Sequence, residues 1–134
     1  MKYYRFISLI LAIVFGSVGL IFLFISDGVI EFFNSIAALA GMKLSPTSGV
    51  NFYLILAIGY MYLVSLIAFM MYKYPDNRYF PLLLSNAKIA SSILSLYFFI
   101  WHQPYLIYIT NCLIDGSIGG VALYFYIQIK NNQT

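Results

Sequence analysis

Four stretches of the chain, about 6–26, 52–72, 82–101 and 105–129, are apolar over most of their length. Each is close to the roughly 20 residues that a helix needs to cross the hydrocarbon of a bilayer. None alternates with a period of two, as a lipid-facing barrel strand would. A different pattern separates the first two. In "GVIEFFNSIAALAG", Val29, Phe32, Phe33, Ile36 and Ala40 fall on one helical face, and Glu31, Asn34 and Ser35 fall on the other. That segment, about 28–41, is too short to span and suits the membrane surface. Asp27 is placed to cap it, Gly41 to stop it, and "SPTSG" (45–49) reads as loop. The predicted fold class is therefore all-α. It is a polytopic membrane protein with four transmembrane helices in an antiparallel bundle and a short interfacial amphipathic helix between helices 1 and 2, all in one domain over 1–134.

Two charges interrupt the apolar pattern. Lys88 lies inside the third span and Asp115 near the middle of the fourth. Each costs about 2.5–3.5 kcal/mol at a helix centre on insertion scales. The link "HQP" (102–104) is short enough to fold the two spans into an antiparallel hairpin. Position 88 then faces position 118, with Asp115 about one turn, roughly 4.5 Å, away. Polar and small residues recur on matching seams: Ser85, Lys88, Ser92, Ser95 and Phe99 on one helix, and Tyr108, Asn111, Asp115, Ile118 and Ala122 on the other. The spacing predicts a buried Lys88–Asp115 ion pair, with Asn111, Ser92 or Tyr108 taking its spare hydrogen bonds. Such a pair either fixes helix register or serves a proton, an ion or a polar ligand. Either residue could also meet a partner subunit.

Composition agrees with lipid as the solvent. The chain is 134 residues long, 63% hydrophobic and 8% charged, against about 25% charged in soluble domains. The first span is longer than the roughly 7–15 residues of a signal-peptide core and has no A-x-A-like site after it, so it reads as retained. Cations set the expected direction. Lys2, Arg5, Lys73, Arg78 and Lys130 fall on one side and Lys43 alone on the other, which puts both termini in the cytoplasm and the protein in the inner (cell) membrane. No basic run or basic-aromatic patch points to nucleic acid.

Candidate chemistry is sparse. The single cysteine, Cys112, and the single histidine, His102, have no ligand neighbours at metal spacing. No HExxH, GxSxG or Walker motif occurs, and the serines of the third span have no neighbouring base. No metal and no cofactor is expected, and an enzyme is disfavoured. Small residues supply packing faces: Gly16 and Gly19 in the first span, and Gly116 and Gly120, a GxxxG, in the fourth.

Three passages, "SDGVIEFFNSIAALAG" after the first span, "FYLILAIGYMYL" opening the second and "LIDG" in the last, give the chain a layout that resembles the DoxX-like four-helix membrane proteins. The resemblance implies a four-helix bundle and an accessory role beside membrane redox systems, and no site residue. Three functional readings follow. The first is an accessory or structural subunit, whose partners are the lipid bilayer and other membrane subunits or a second copy. The second is a small oligomeric transporter or channel using Lys88 and Asp115. The third is a binder of a lipid or quinone in a pocket lined by aromatics such as Tyr60, Tyr62, Phe98, Phe99 and Tyr108.

Overall fold

The computed structural model of the chain describes residues 2–47 and 51–133, with only the backbone described at 51 and 52. The loop expected over 45–49 therefore lies in part, at Ser48 and Gly49, outside the described residues.

Among the described residues five helices follow one another: α1 (Lys2–Phe24), α2 (Ser26–Leu39), α3 (Asn51–Lys73), α4 (Tyr79–Trp101) and α5 (Leu106–Gln133). All but α2 are long and apolar enough to cross a membrane. The chain is an all-α, multi-pass membrane protein. The helices overrun the apolar stretches at several ends: α1 begins at Lys2, α4 at Tyr79, and α5 runs on to Gln133. Helical hydrogen bonding does not stop where hydrophobicity does. The last turn of α5 is also held from outside, because Gln133 Nε2 donates to the Asp76 carbonyl at 2.6 Å.

The bundle is built from two antiparallel pairs, α1 with α3 and α4 with α5. In the first pair, Ser65 Oγ donates to the Ala12 carbonyl at 2.7 Å, and a Cβ on Gly16 or Gly19 would approach Ser65 or Met61. In the second, contacts step along both helices from Ser85–Gly119 through Lys88–Asp115 and Ser92–Cys112 to Phe98–Tyr108. The turn between α3 and α4 is tight, with Asn77 Oδ1 accepting the Tyr79 N–H at 3.0 Å.

Between α1 and α2 the chain bends at Ile25. Gly28 tolerates that bend, since a Cβ there would lie 2.8 Å from Ile25 Cγ2. No side chain caps α2: Asp27 sits in its first turn and Ile25 holds the cap position. The helix ends at Leu39 with Ala40 as its cap, and the φ of +66° at Gly41 just beyond lets the Met42 N–H reach the Ala37 carbonyl at 2.8 Å.

The packed face of α2 differs from the one its periodicity suggests. Ile30 and Ala37 are buried, while Phe32 is 61% exposed and Ile36 40%. Asn34 turns toward the protein, not toward water. Its amide holds both backbone groups of Ser45, donating to the carbonyl at 2.9 Å and accepting the N–H at 2.7 Å. Lys43 then donates to Gln103 Oε1 at 2.6 Å, tying this returning segment to the turn between α4 and α5.

Packing is unequal along the bundle. The core residues Tyr4, Ala12, Phe15, Val64, Ala68, Met71, Leu84, Ala122, Phe125 and Ile129 occupy the half nearer the two termini. Tyr4 and Phe125 meet there edge to face at 5.0 Å, joining α1 to α5. The half under α2 is hollow.

Candidate functional site

Lys88 sits at the boundary between the packed and the hollow halves. It is 1% exposed, and Asp115 is 3% exposed. Lys88 Nζ donates to Asp115 Oδ1 at 2.8 Å. The short link between α4 and α5 sets this register, and the small residues beside the pair let the helices approach closely enough for the side chains to meet.

The ammonium has two further neighbours. It lies 4.4 Å from the centroid of the Phe15 ring and 5.1 Å from that of Tyr60. A desolvated cation gains about 2 kcal/mol over an aromatic face. Tyr60 is itself held, because its hydroxyl donates to the Ala87 carbonyl at 3.2 Å. Thus α1, α3 and α5 each contribute one neighbour to the lysine that α4 carries. Sequence reasoning missed Phe15. Its signal is faint: an aromatic beside Gly16, on the face of α1 that also carries Ala12.

The carboxylate is less well served. Asp115 Oδ2 is buried and has no hydrogen-bond partner among the described residues. None of the three side chains expected to supply one does so. Ser92 Oγ donates to the Cys112 carbonyl at 2.8 Å. Asn111 Nδ2 donates to Ser91 at 3.2 Å and to Ser95 at 2.7 Å. The Tyr108 ring lies against Phe98 and Tyr105. All three therefore belong to the polar seam between α4 and α5, yet none touches the pair. The reason is angular. Asn111 is one turn above Asp115, and its amide points along α4 toward the serines.

The glycines also divide. A Cβ on Gly119 would lie 2.8 Å from Ile89 Cγ1 and 3.2 Å from the Ile89 nitrogen, and Ser85 Oγ donates to the Gly119 carbonyl at 3.0 Å. A Cβ on Gly116 would meet Ser92 Oγ at 3.0 Å. A Cβ on Gly120 would meet no other part of the protein within 4 Å. The close approach of α4 and α5 thus runs through Gly116 and Gly119, and Gly120 faces outward.

Two adjoining cavities fill the hollow half. One, of 320 Å³, has Lys88 and Asp115 in its wall, along with Phe15, Val18 and Phe22 of α1, Val29 and Phe33 of α2, Met61 of α3, and Ile107, Thr110, Asn111 and Ile118 of α5. The other, of 440 Å³, lies toward the turn between α4 and α5 and is lined by Tyr53, Tyr60, Ser91, Ser95, Tyr105 and Tyr108 among others. Phe22, Met61, Ile107 and Asn111 line both. Val14, Ile21 and Ile114 also edge the first cavity and are about half exposed, so it opens sideways between α1 and α5. The Tyr4–Phe125 contact closes that gap below, and α2 roofs it. Of the aromatics expected to line a pocket, Tyr60 and Tyr108 do. Tyr62, 71% exposed, lines instead a separate open cavity of 390 Å³ on the outer side of α1 and α3, with Leu9, Ile13 and Phe69, and Phe98 and Phe99 lie outside the linings of the two inner cavities.

Chemically, this is an apolar chamber with one polar end. Both cavities fall at the lower end of the roughly 300–1,000 Å³ typical of small-molecule sites. Among the described residues, no group of three His, Cys, Asp or Glu side chains could hold a metal ion. No protein-family model, curated protein or solved structure matches the chain.

Proposed function

We propose that this multi-pass membrane protein binds a lipid-soluble small molecule. The molecule enters between α1 and α5 and lies with its polar end at the Lys88–Asp115 pair. One observation carries the reading: among the described residues, the pair forms the only charged part of the wall of a 320 Å³ chamber that is otherwise almost wholly apolar and opens toward the bundle's flank. A pair that served only to fix helix register would need no such chamber. The packed half below the pair, where Val64, Ala68, Met71 and Leu84 are fully buried, gives the transporter alternative no support.

The test fills the chamber from its wall. Val18, on α1, is partly buried and lines it. The chain purified in mild detergent is expected to carry or take up one apolar molecule, seen as an adduct by native mass spectrometry, and Val18→Trp is expected to weaken that uptake at least about tenfold. Equal uptake by the filled variant sinks the reading. A protein partner found in the same spectra would favour instead the accessory-subunit role that a DoxX-like layout implies. The observation behind that second reading is the outer face of α5, where Leu113, Ser117, Gly120 and Tyr124 are exposed and the bare Gly120 backbone leaves room for another helix.

Both termini face the cytoplasm in this proposal, with the protein in the cell's inner membrane. The support is the clustering of Lys2, Arg5, Lys73, Arg78 and Lys130 at one end of the bundle, against Lys43 at the other. In a Cys112→Ala chain, a membrane-impermeant thiol reagent outside intact cells is expected to label Lys43→Cys and spare Gln133→Cys. The reverse labelling inverts the topology.

A further inference from the structure

Resting on the ligand-binding reading above, we infer that the ligand's polar end is an uncharged hydrogen-bond donor, the hydroxyl of an alcohol or phenol on an apolar body, and that it is received by Asp115. The inference comes from what the polar end of the chamber has left to offer. The aromatic rings beside Lys88 serve the ammonium without hydrogen-bond acceptors of their own. One N–H goes to Asp115 Oδ1 at 2.8 Å, and the ammonium lies between the Phe15 and Tyr60 rings at 4.4 and 5.1 Å. Asp115 Oδ2 is the fully buried polar atom of this wall that has no partner among the described residues, and a carboxylate oxygen only accepts. Thr110, another polar group in this wall, both donates and accepts through its hydroxyl, and so does not discriminate. Asn111 has both amide hydrogens on Ser91 and Ser95.

Charge narrows the class further. Lys88 and Asp115 together are neutral, and a third charge beside them would be an uncompensated ion in an apolar enclosure. An ammonium ligand would leave a net positive site, and a carboxylate ligand a net negative one. An ether or a quinone carbonyl offers only acceptors to an oxygen that is itself an acceptor. A hydroxyl satisfies Oδ2 and keeps the site neutral. The shape agrees: a single polar end and a lateral opening suit a molecule that arrives from the lipid with its apolar body trailing between α1 and α5.

The experiment compares two probes that differ only in the donor, 4-nonylphenol and its methyl ether 4-nonylanisole. Each is titrated into the delipidated full chain in detergent micelles, with affinity expressed per mole fraction in the micelle. The phenol is expected to bind about tenfold tighter or more, the usual effect of leaving a buried acceptor unpaired. In the double variant Lys88→Met/Asp115→Leu, which removes both charges together and so leaves no lone ion to unfold the bundle, the two probes are expected to bind alike. Equal binding of both probes by the unmodified chain, each competing with the other and each blocked by Val18→Trp, overturns the donor assignment and leaves the ligand-binding reading standing. A phenol preference that persists in the double variant overturns it too, since Asp115 is then not its source. Binding of neither probe, or binding that Val18→Trp leaves intact, fails the ligand-binding reading itself.

Discussion

Replacing Lys88 with methionine lowers the unfolding free energy by about 3–5 kcal/mol, and adding Asp115→Leu to the same chain restores most of it. Both side chains are almost wholly buried, and the Nζ–Oδ1 distance is 2.8 Å. Removing one partner strands the other as an ion in a medium that cannot solvate it. Removing both trades a charge pair for apolar volume, often neutral or favourable in a buried setting. The two single substitutions need not cost the same. Lys88→Met also forfeits the contacts with Phe15 and Tyr60, about 2 kcal/mol where desolvated, but it leaves a flexible apolar side chain to fill the space between the rings. Asp115→Leu strands an ammonium that still has those two rings, so it is expected to be the milder of the two. Reversible unfolding in mixed micelles, run on the four chains of a double-mutant cycle, gives the coupling directly. Simple additivity of the single effects would show that the pair contributes nothing beyond its separate side chains. If the double variant instead proves more stable than the natural chain, then the pair is kept for something other than stability, as a ligand site requires.

Much of this arrangement could be read from the chain before any coordinates, for one physical reason. A polar side chain in an apolar helix has a single acceptable place, against protein. Lys88, Ser85, Ser92 and Ser95 therefore had to share a face, as did Asn111 and Asp115, and the three-residue link between the helices left little freedom in register. Apolar residues carry no comparable information in a membrane, because lipid and protein interior are nearly the same solvent for them. That is why the packed face of α2 was misplaced. Ile30 and Ala37, which are buried, and Phe32 and Ile36, which are not, look equally suited to either environment. Asn34 could not be assigned to the bundle because its partner is backbone, the two polar groups of Ser45, and leaves no mark in a side-chain pattern. The same limit hid the chamber. Cavities are made by residues that fail to meet, and nothing in Val18, Phe22 or Ile107 announces that they stand apart. The unpartnered oxygen of Asp115 was hidden too, since seam membership placed Asn111, Ser92 and Tyr108 nearby without showing which way each would turn.

Alanine at Gly119 is expected to destabilise the bundle by roughly 1–3 kcal/mol, while alanine at its neighbour Gly120 stays within about 0.5 kcal/mol of the natural chain. The motif by spacing is Gly116 with Gly120, so a reading from the motif alone expects the reverse of the Gly119–Gly120 order. Spacing does not say which way a helix is turned. Successive residues are rotated by about 100°, so Gly119 and Gly120 cannot both face α4. The side that carries Cys112, Asp115, Gly116, Gly119 and Ala122 is the one in contact. At Gly119 the added methyl meets Ile89 Cγ1 at 2.8 Å and, less yieldingly, the Ile89 backbone nitrogen at 3.2 Å. A side chain can rotate away, but a backbone can give way only if the two helices separate. Separation would also stretch the Ser85 hydrogen bond to the Gly119 carbonyl and move Lys88, whose Cβ lies 3.5 Å from the same point. Part of the cost should therefore appear as a weakened ion pair, and Gly119→Ala should be less harmful in the Lys88→Met/Asp115→Leu background than in the natural one. Gly116→Ala is expected to fall between the two. Its methyl meets Ser92 Oγ at 3.0 Å, the end of a side chain that can swing aside at the loss of one hydrogen bond to the Cys112 carbonyl, about 1 kcal/mol. Unfolding of the three variants in the same micelles sets the order. A loss at Gly120 as large as that at Gly119 would mean that α5 presents a different face to α4, and the position assigned to Asp115 would go with it.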